Sequence, residues 1–288
     1  EDIKLSGLFY KNEKTGKFID RFNSRVIFPV NNLSGETIAF GGRILKKDSK
    51  LAKYINSPET EFYKKGKVIF NLDNAKSERS NTKEVIIVEG YMDVLSLHAA
   101  GIKNVVSNSG IAITENQIEL VWKFFSDPIV CLDGDTSGQS AALRAAERLM
   151  PLINEDNKIY FSILSKGEDP DDFIKKNGRE KFLKFLGSKK IIQSYIWESY
   201  FKEVDGNNPF SVSKFEKKLK NLCFGIKNEI LRKYIWEDFL EKIKGLTPIQ
   251  NFKRKFKLMI KINLILFLKE HHLPVFNLAN KIFGSIII

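Results

Sequence analysis

The stretch Val85-Ile86-Ile87-Val88-Glu89-Gly90 decides the fold class of this chain. Four consecutive β-branched residues are typical of a strand that is buried on both faces of a parallel sheet. Segments of helical composition alternate with further short apolar runs after it, and the last such run is Lys158 to Leu164. This alternation predicts a parallel central sheet that is flanked by helices.

The segments on either side of this region have a different character. The runs Arg25–Val30 and Glu36–Phe40 are separated by a turn sequence and predict a β-hairpin, which we expect Gly41-Gly42 to interrupt. After Asp172 no strand pattern is found, and the composition predicts helices. We therefore predict an α/β fold, α+β overall, with four parts: a mixed basic N-terminal subdomain at 1–82, the parallel-sheet domain at 83–172, a helical subdomain at 173–250 and an unassigned tail at 251–288.

Charge is distributed unevenly along the 288 residues, whose formal net charge is +12. Residues 1–82 carry +6, residues 83–175 carry −7 and residues 176–288 carry +13. An acidic centre between basic flanks indicates either a polyanion track beside a cation site or a lysine-rich solvated surface, and charge alone does not separate the two. With only two cysteines and three histidines, neither a disulfide scaffold nor a structural zinc site is expected. No apolar stretch is long enough to predict a membrane span.

Acidic residues follow three of the predicted strands, at the point where each strand ends. Glu89 follows the first, Asp133 and Asp135 follow the third, and Asp169 and Asp171 follow the fourth. The carboxyl ends of parallel strands meet at one edge of a sheet, so we expect these carboxylates to converge there. Their mutual repulsion is costly unless cations lie between them, and oxygen ligands favour Mg²⁺ or Mn²⁺. Any one of these acids, taken alone, could instead be a helix cap. Asp135, for example, could cap the helix that follows it.

These acids lie in motifs that resemble a known family. The motifs Glu89-Gly90-Tyr91-Met92-Asp93, Leu132-Asp133-Gly134-Asp135-Thr136-Ser137-Gly138 and Gly167-Glu168-Asp169-Pro170-Asp171 resemble the Toprim domain of bacterial DNA primases, the DnaG family. Toprim domains also occur in topoisomerases, nucleases and recombination proteins. Upstream motifs are similar to the N-terminal subdomain of primases: Arg21-Phe22-Asn23-Ser24-Arg25-Val26-Ile27-Phe28-Pro29, Phe40-Gly41-Gly42-Arg43, Lys53-Tyr54-Ile55-Asn56-Ser57-Pro58 and Phe62-Tyr63-Lys64-Lys65-Gly66.

The resemblance implies a set of functional residues. The implied metal ligands are Glu89, Asp133, Asp135, Asp169 and Asp171, and the implied catalytic acids are Glu89, Asp133, Asp135 and Asp93. The implied nucleic-acid and nucleotide contacts are Arg21, Arg25, Arg43, Lys53, Tyr54, Asn56 and Lys65.

The resemblance also implies an activity, its cofactors and its partners. The expected activity is that of a DNA-directed RNA polymerase that makes short RNA primers on single-stranded DNA from ribonucleoside triphosphates, with at least two Mg²⁺ or Mn²⁺ ions and no zinc. The expected product is an RNA–DNA hybrid, and the expected location is the replisome in the bacterial cytoplasm. Full-length members also imply a replicative helicase as partner, although we expect the tail after Lys257 to be too short for a helicase-binding domain.

Two features keep other functions open. The family's zinc-binding module is not found in this chain, and Ile111 follows Ser109-Gly110 where primases commonly place a threonine. The alternatives are a different Toprim enzyme, which cleaves or rejoins DNA, and a non-catalytic protein that binds nucleic acid.

Overall fold

A computed structural model describes residues 6–45, 51–110 and 112–246. The tail at 251–288 and the position of Ile111 lie outside these ranges, so the predictions made for them are not tested. The described residues fall into two compact units, the first within Glu1–Ser199 and Leu222–Arg232, and the second within Tyr200–Asn221 and Lys233–Ile288.

The strands of the described residues form three sheets. A two-stranded antiparallel sheet pairs β1 with β2, a three-stranded antiparallel sheet has the order β3-β4-β5, and a five-stranded sheet has the order β10-β9-β8-β6-β7. In chain order the strands are β1 Phe9–Lys11, β2 Phe18–Asp20, β3 Arg25–Asn31, β4 Thr37–Ile44, β5 Tyr54–Asn56, β6 Glu84–Val88, β7 Val105–Ser107, β8 Asp127–Leu132, β9 Tyr160–Ile163 and β10 Lys190–Ile191.

The helices follow the strand–helix alternation in the centre of the chain and dominate its last third. In chain order they are α1 Leu72–Ala75, α2 Tyr91–Ala99, α3 Glu115–Trp122, α4 Thr136–Leu149, α5 Pro170–Leu186, α6 Ile192–Phe201, α7 Pro209–Phe224 and α8 Glu229–Lys244, with short 3₁₀ turns at Lys65–Lys67, Lys76–Ser80 and Met150–Leu152. None of the helices in the described ranges is long and apolar enough to cross a membrane.

The predicted N-terminal hairpin is confirmed as β3 and β4, but β4 continues through the two glycines that we expected to interrupt it. Long-range packing explains the difference. A Cβ atom on Gly41 would lie 2.5 Å from the ring of Tyr91, and one on Gly42 would lie 2.7 Å from the ring of Phe22. The glycines therefore let two aromatic rings approach the strand backbone, and they do not end the strand.

The central sheet confirms the predicted parallel arrangement. Strands β7, β6, β8 and β9 are parallel neighbours, and Val85–Val88 are at most 2% exposed. The two-residue strand β10 pairs antiparallel with β9, so the prediction that no strand follows Asp172 is wrong. A strand of two residues gives no periodic pattern by which the sequence could reveal it.

One hydrophobic core joins the N-terminal sheet to the central sheet. It includes Phe28 and Val30 of β3 together with Ile86 of β6, Ile129 of β8 and Phe182 of α5. An isolated bridge between Phe70 and Ser107 also attaches the N-terminal region to the β7 edge. The carboxyl ends of the four parallel strands therefore point toward an edge that the N-terminal sheet also reaches.

Candidate active site

A cavity of about 360 Å³ lies at the carboxyl edge of the parallel strands. Its lining divides into an acidic wall from the central domain and a basic and polar wall from β4 and β5. The acidic wall consists of Glu89, Asp93, Asp133, Asp169 and Asp171, and the opposite wall includes Arg43, Lys53, Tyr54 and Asn56. The structure thus brings together nine of the thirteen residues that the sequence analysis assigned to a site.

Glu89 and Asp133 are the acids with the least compensation. Glu89 Oε1 and Asp133 Oδ1 are buried and have no hydrogen-bond partner. Burial raises the pKa of Glu89, with a smaller contribution from the charge of Asp135, while a hydrogen bond from the Asp133 backbone opposes it. Burial also raises the pKa of Asp133 to about 7, and the charges of Glu89, Asp93 and Asp169 add to that effect. Ionising these two groups together is unfavourable unless a cation accompanies them.

The backbone around Asp133 leaves no room for a side chain at the next position. A Cβ atom on Gly134 would lie 1.8 Å from the carbonyl oxygen of Ser165, and the Gly134 N–H donates to the carbonyl oxygen of Glu168 at 3.1 Å. This close contact joins the loop after β8 to the loop after β9. Those are the two loops that carry Asp133 and Asp169.

Two of the predicted metal ligands begin helices. Asp135 Oδ1 accepts a hydrogen bond from the Gly138 N–H at 2.6 Å and so caps α4, and Asp169 Oδ1 accepts from the Asp172 N–H at 2.6 Å and caps α5. Asp169 nevertheless lines the cavity, whereas Asp135 is exposed and does not. The capping role that the sequence left open for Asp135 is therefore the one observed, although its second carboxylate oxygen is not used by the cap.

Asp93 and Asp171 are held in place by hydrogen bonds within the protein. Asp93 is 9% exposed and its Oδ2 accepts from the Gly90 N–H at 2.9 Å; burial raises its pKa to about 6 despite that bond. Asp171 accepts from the hydroxyl of Ser96 and from the ammonium of Lys175, the latter at 2.7 Å. Burial works against the ionisation of Asp171, but these two hydrogen bonds outweigh it and hold its pKa below the ordinary value.

The carboxylate oxygens of the acidic wall suit a divalent cation, although they do not form a complete ligand shell in this structure. Within residues 6–45, 51–110 and 112–246, no three acidic, histidine or cysteine side chains are gathered closely enough to hold one ion. The two orphaned oxygens of Glu89 and Asp133 and the raised pKa of Asp133 are what a missing positive charge would produce. Carboxylate oxygens favour a hard cation over zinc.

The opposite wall presents positive charge beside an aromatic ring. The guanidinium of Arg43 lies 5.9 Å and the ammonium of Lys53 lies 5.7 Å from the centroid of the Tyr54 ring. In the described ranges neither cation forms a salt bridge with an acid of the cavity or elsewhere. Two cations and a partly exposed ring are suited to phosphates and a nucleobase.

Three predicted nucleic-acid contacts are not brought into the cavity. The Arg25 guanidinium donates to the carbonyl oxygens of Gly42 and Lys53, at 3.4 and 3.3 Å, and so fastens the strands of the N-terminal sheet. Arg21 lies over the ring of Tyr10 at 6.0 Å, and Lys65 belongs to the 3₁₀ turn Lys65–Lys67.

The cavity also contains residues to which the sequence analysis gave no role. Tyr91, Met92, Ser109 and Gly110 line it. Tyr91 and Met92 lie within the Glu89–Asp93 motif, and this location is the signal in the sequence that could have indicated their place in the cavity. The hydrogen bond between Ser96 and Asp171 joins residues 75 positions apart and leaves no pattern in the sequence.

Family models match two parts of this chain. Residues 1–76 match the model of the N-terminal domain of the DNA primase catalytic core, and residues 86–174 match the Toprim-like model. The DNA primase of Rickettsia conorii is 36% identical over 228 residues, which are 78% of this chain and 38% of that protein.

Solved structures show the same relationship. A DNA primase domain from Pseudomonas aeruginosa superposes with a TM-score of 0.78 and 32% identity, covering 85% of this chain and 75% of that one. A DnaG primase catalytic domain bound to ssDNA superposes with a TM-score of 0.76 and 30% identity, covering 85% and 74% of the two chains. The chain therefore belongs to the bacterial DNA primases of the DnaG family and corresponds to part of their catalytic core.

Proposed function

We propose that this chain synthesises short RNA primers on a single-stranded DNA template by joining ribonucleoside triphosphates. The proposal rests on the observation that one cavity has uncompensated carboxylates on one wall and Arg43, Lys53 and Tyr54 on the other. A nucleotidyl transfer needs both walls. The basic side chains bind the triphosphate, and the carboxylates bind the metal ions that balance its negative charge. The similarity to a primase catalytic domain bound to ssDNA supports the choice of template.

We assign the cation-binding role to Glu89, Asp133 and Asp169, with the second oxygen of Asp135 as a further ligand. When bound, at least two Mg²⁺ or Mn²⁺ ions supply positive charge at the reacting phosphate and activate the attacking hydroxyl. Asp171 holds its position through Ser96 and Lys175, and it stays ionised because its pKa is lowered. Asp93 fixes the first turn of α2 through the Gly90 N–H, which orients the backbone next to Glu89.

Arg43 and Lys53 bind the phosphates of the incoming nucleotide or of the template. Their charges lie at the same cavity as five carboxylates, so a polyphosphate that enters is attracted to one wall and repelled by the other. This polarity orients the triphosphate. Tyr54, about one-third exposed, offers a face on which a base can stack.

Primer synthesis on single-stranded DNA tests the proposal directly. Labelled ribonucleotides, Mg²⁺ or Mn²⁺ and template are incubated with the wild type, with Asp133→Asn, and with Asp156→Asn as a control at an exposed acid outside the cavity. We expect RNA products from the wild type and the control, and at least a hundredfold less from Asp133→Asn. Relaxation or nicking of supercoiled DNA by the wild type without RNA synthesis would instead identify a DNA-cleaving enzyme.

Glu89 is assigned to cation binding, and the other role open to its carboxylate is acceptance of the proton from the attacking hydroxyl. The variant Glu89→Gln separates them. Loss of activity together with loss of the Mg²⁺-induced rise in melting temperature indicates a ligand. Loss of activity with that rise retained indicates a general base.

The proposed activity places the protein at the replisome in the bacterial cytoplasm, with an RNA–DNA hybrid as product. A replicative helicase is proposed as a further partner. This chain spans 38% of the length of its Rickettsia conorii relative, so a helicase contact is to be tested separately from primer synthesis, by co-purification with the helicase.

A further inference from the structure

The side chain of Asn56 is engaged inside the protein, although its motif suggested a contact with nucleic acid. Its Oδ1 accepts a hydrogen bond from the Tyr91 hydroxyl at 2.7 Å, and its Nδ2 donates to the carbonyl oxygen of Ser109 at 3.2 Å. Asn56 belongs to β5 of the N-terminal sheet. Tyr91 follows β6 and Ser109 follows β7, and both of these strands belong to the five-stranded sheet. One amide therefore joins the two walls of the cavity.

The loop that Asn56 contacts donates hydrogen bonds to the backbone of Glu89. Ser109 and Gly110 both have a left-handed backbone, with φ of 60° and 72°, and this conformation is unfavourable for the non-glycine residue. The Gly110 N–H donates to the carbonyl oxygen of Glu89 at 2.9 Å, and the Ser107 hydroxyl donates to the same oxygen at 2.7 Å. The hydrogen bond from Asn56 thus helps to retain a strained loop that fixes the backbone of Glu89.

Tyr91 is itself held rigidly. It is 3% exposed, its ring stacks on Phe28 at 4.9 Å with an interplanar angle of 7°, and it meets the ring of Phe70 edge-on at 4.7 Å. Gly41 gives it the remaining space, since a Cβ there would lie 2.5 Å from the ring.

We propose that Tyr91, Asn56 and the loop Ser107–Gly110 form a latch that sets the position of Glu89 according to the position of the N-terminal sheet. Tyr91 and Asn56 are positioning residues in this proposal. The latch rests on the proposed nucleotidyl transfer for its purpose, but its hydrogen bonds exist independently of that activity. A consequence is that Arg43 and Lys53, which belong to or adjoin the same sheet as Asn56, are aligned with the acidic wall by this contact.

Two measurements test the latch. The variant Tyr91→Phe removes the hydroxyl and keeps the ring, and Tyr195→Phe is its matched control, because Tyr195 also stacks on a phenylalanine, Phe161 at 4.7 Å, but does not line the cavity. We expect amide hydrogen exchange at Ser109 and Gly110 to become about tenfold faster in Tyr91→Phe and to be unchanged in Tyr195→Phe. In primer synthesis we expect kcat to fall about tenfold, with KM for the nucleotide changed by less than about threefold.

A double-mutant comparison adds an independent check. In an Asn56→Ala background the Tyr91 hydroxyl has lost its Asn56 acceptor and keeps only its interaction with the Ser109 side chain, so adding Tyr91→Phe should change exchange and kcat by less than it does in the wild-type background. Unchanged exchange at Ser109 and Gly110 in both single variants would overturn the latch, even in a fully active enzyme. A raised KM with unchanged exchange in Asn56→Ala would show that Asn56 contacts the nucleotide directly. If the wild type makes no primer, the proposed function fails, and the exchange results alone decide on the latch.

Discussion

Replacing Asp133 by asparagine should stabilise this protein in the absence of divalent cations while abolishing its activity. Asp133 carries a buried oxygen without a hydrogen-bond partner, and burial, then the charges of Glu89, Asp93, Asp169 and Asp135, raise its pKa from 3.8 to about 7. A carboxyl group with a raised pKa holds its proton more tightly in the folded state than in the unfolded state. The contribution of Asp133 to the free energy of unfolding therefore falls as the pH rises from about 4 to about 7 and then levels off.

The size of the effect follows from that shift. About three pKa units at roughly 1.36 kcal/mol each give about 4 kcal/mol as an upper bound. Asp133 is only partly buried, and solvent screening reduces such a term, so we expect about 1–2 kcal/mol above pH 7. For a chain of 288 residues, whose entropy of unfolding is roughly 0.6 kcal/mol/K, that corresponds to a rise of about 2–3 °C in melting temperature for Asp133→Asn.

The assay is thermal unfolding in chelator between pH 4 and pH 8, with Asp156→Asn as the control for loss of a negative charge. The melting temperatures of wild type and Asp133→Asn should converge near pH 4 and separate as the pH rises to 7. Excess Mg²⁺ should raise the melting temperature of the wild type and narrow the gap, because an ion that binds only the folded state stabilises it. If Asp133→Asn is no more stable than Asp156→Asn at pH 8 in chelator, the carboxylate is not the uncompensated group described above.

Further predictions concern other parts of the site. Arg43→Ala should raise KM for ribonucleoside triphosphates at least tenfold and leave the Mg²⁺-induced rise in melting temperature unchanged, since a charge-assisted contact to phosphate contributes about 1.5–3 kcal/mol; loss of that rise would show that Arg43 acts through the acids. Gly134→Ala should lower the free energy of unfolding by about 1–3 kcal/mol, because its Cβ would lie 1.8 Å from a carbonyl oxygen, whereas Gly66→Ala, whose Cβ would lie 3.4 Å from Thr114, should cost under about 1 kcal/mol in denaturant titrations. Lys175→Met and Ser96→Ala should each raise the pKa of Asp171, which carboxyl-carbon NMR can follow; an unchanged pKa in both would refute the hydrogen bonds assigned to it.

The sequence was sufficient for the central sheet and for the acids at its edge, because both follow from short-range rules. A β-branched run predicts a buried strand, and a parallel arrangement sends every strand end to the same side. Glu89, Asp133 and Asp169 therefore line one cavity, although they are not close enough together to hold one ion. The resemblance to DnaG primases is confirmed by the matched models and structures.

Side-chain direction was not available from the sequence. Arg25 and Arg43 are both cations in the same sheet, yet one guanidinium binds backbone carbonyl oxygens and the other lines the cavity. Asp135 could equally have been a ligand or a helix cap, since either role uses a carboxylate at the same position. The passage of β4 through Gly41-Gly42 likewise depends on the ring of Tyr91, 50 positions later in the chain.

Stability favours carboxylates that have hydrogen-bond partners, whereas cation binding favours carboxylates that lack them. The acidic wall contains both kinds. Asp169, Asp171 and Asp93 are each satisfied by local hydrogen bonds, so they can stay in place when no cation is bound. Glu89 and Asp133 have oxygens without partners, so their favourable state requires a positive charge from outside the chain. The satisfied acids hold the shape of the wall, and Asp169 adds a ligand, whereas the unsatisfied pair supplies the main affinity for cations. An asparagine at position 133 would relieve the repulsion and remove that affinity at once, which is why stabilisation and loss of activity are expected in the same variant.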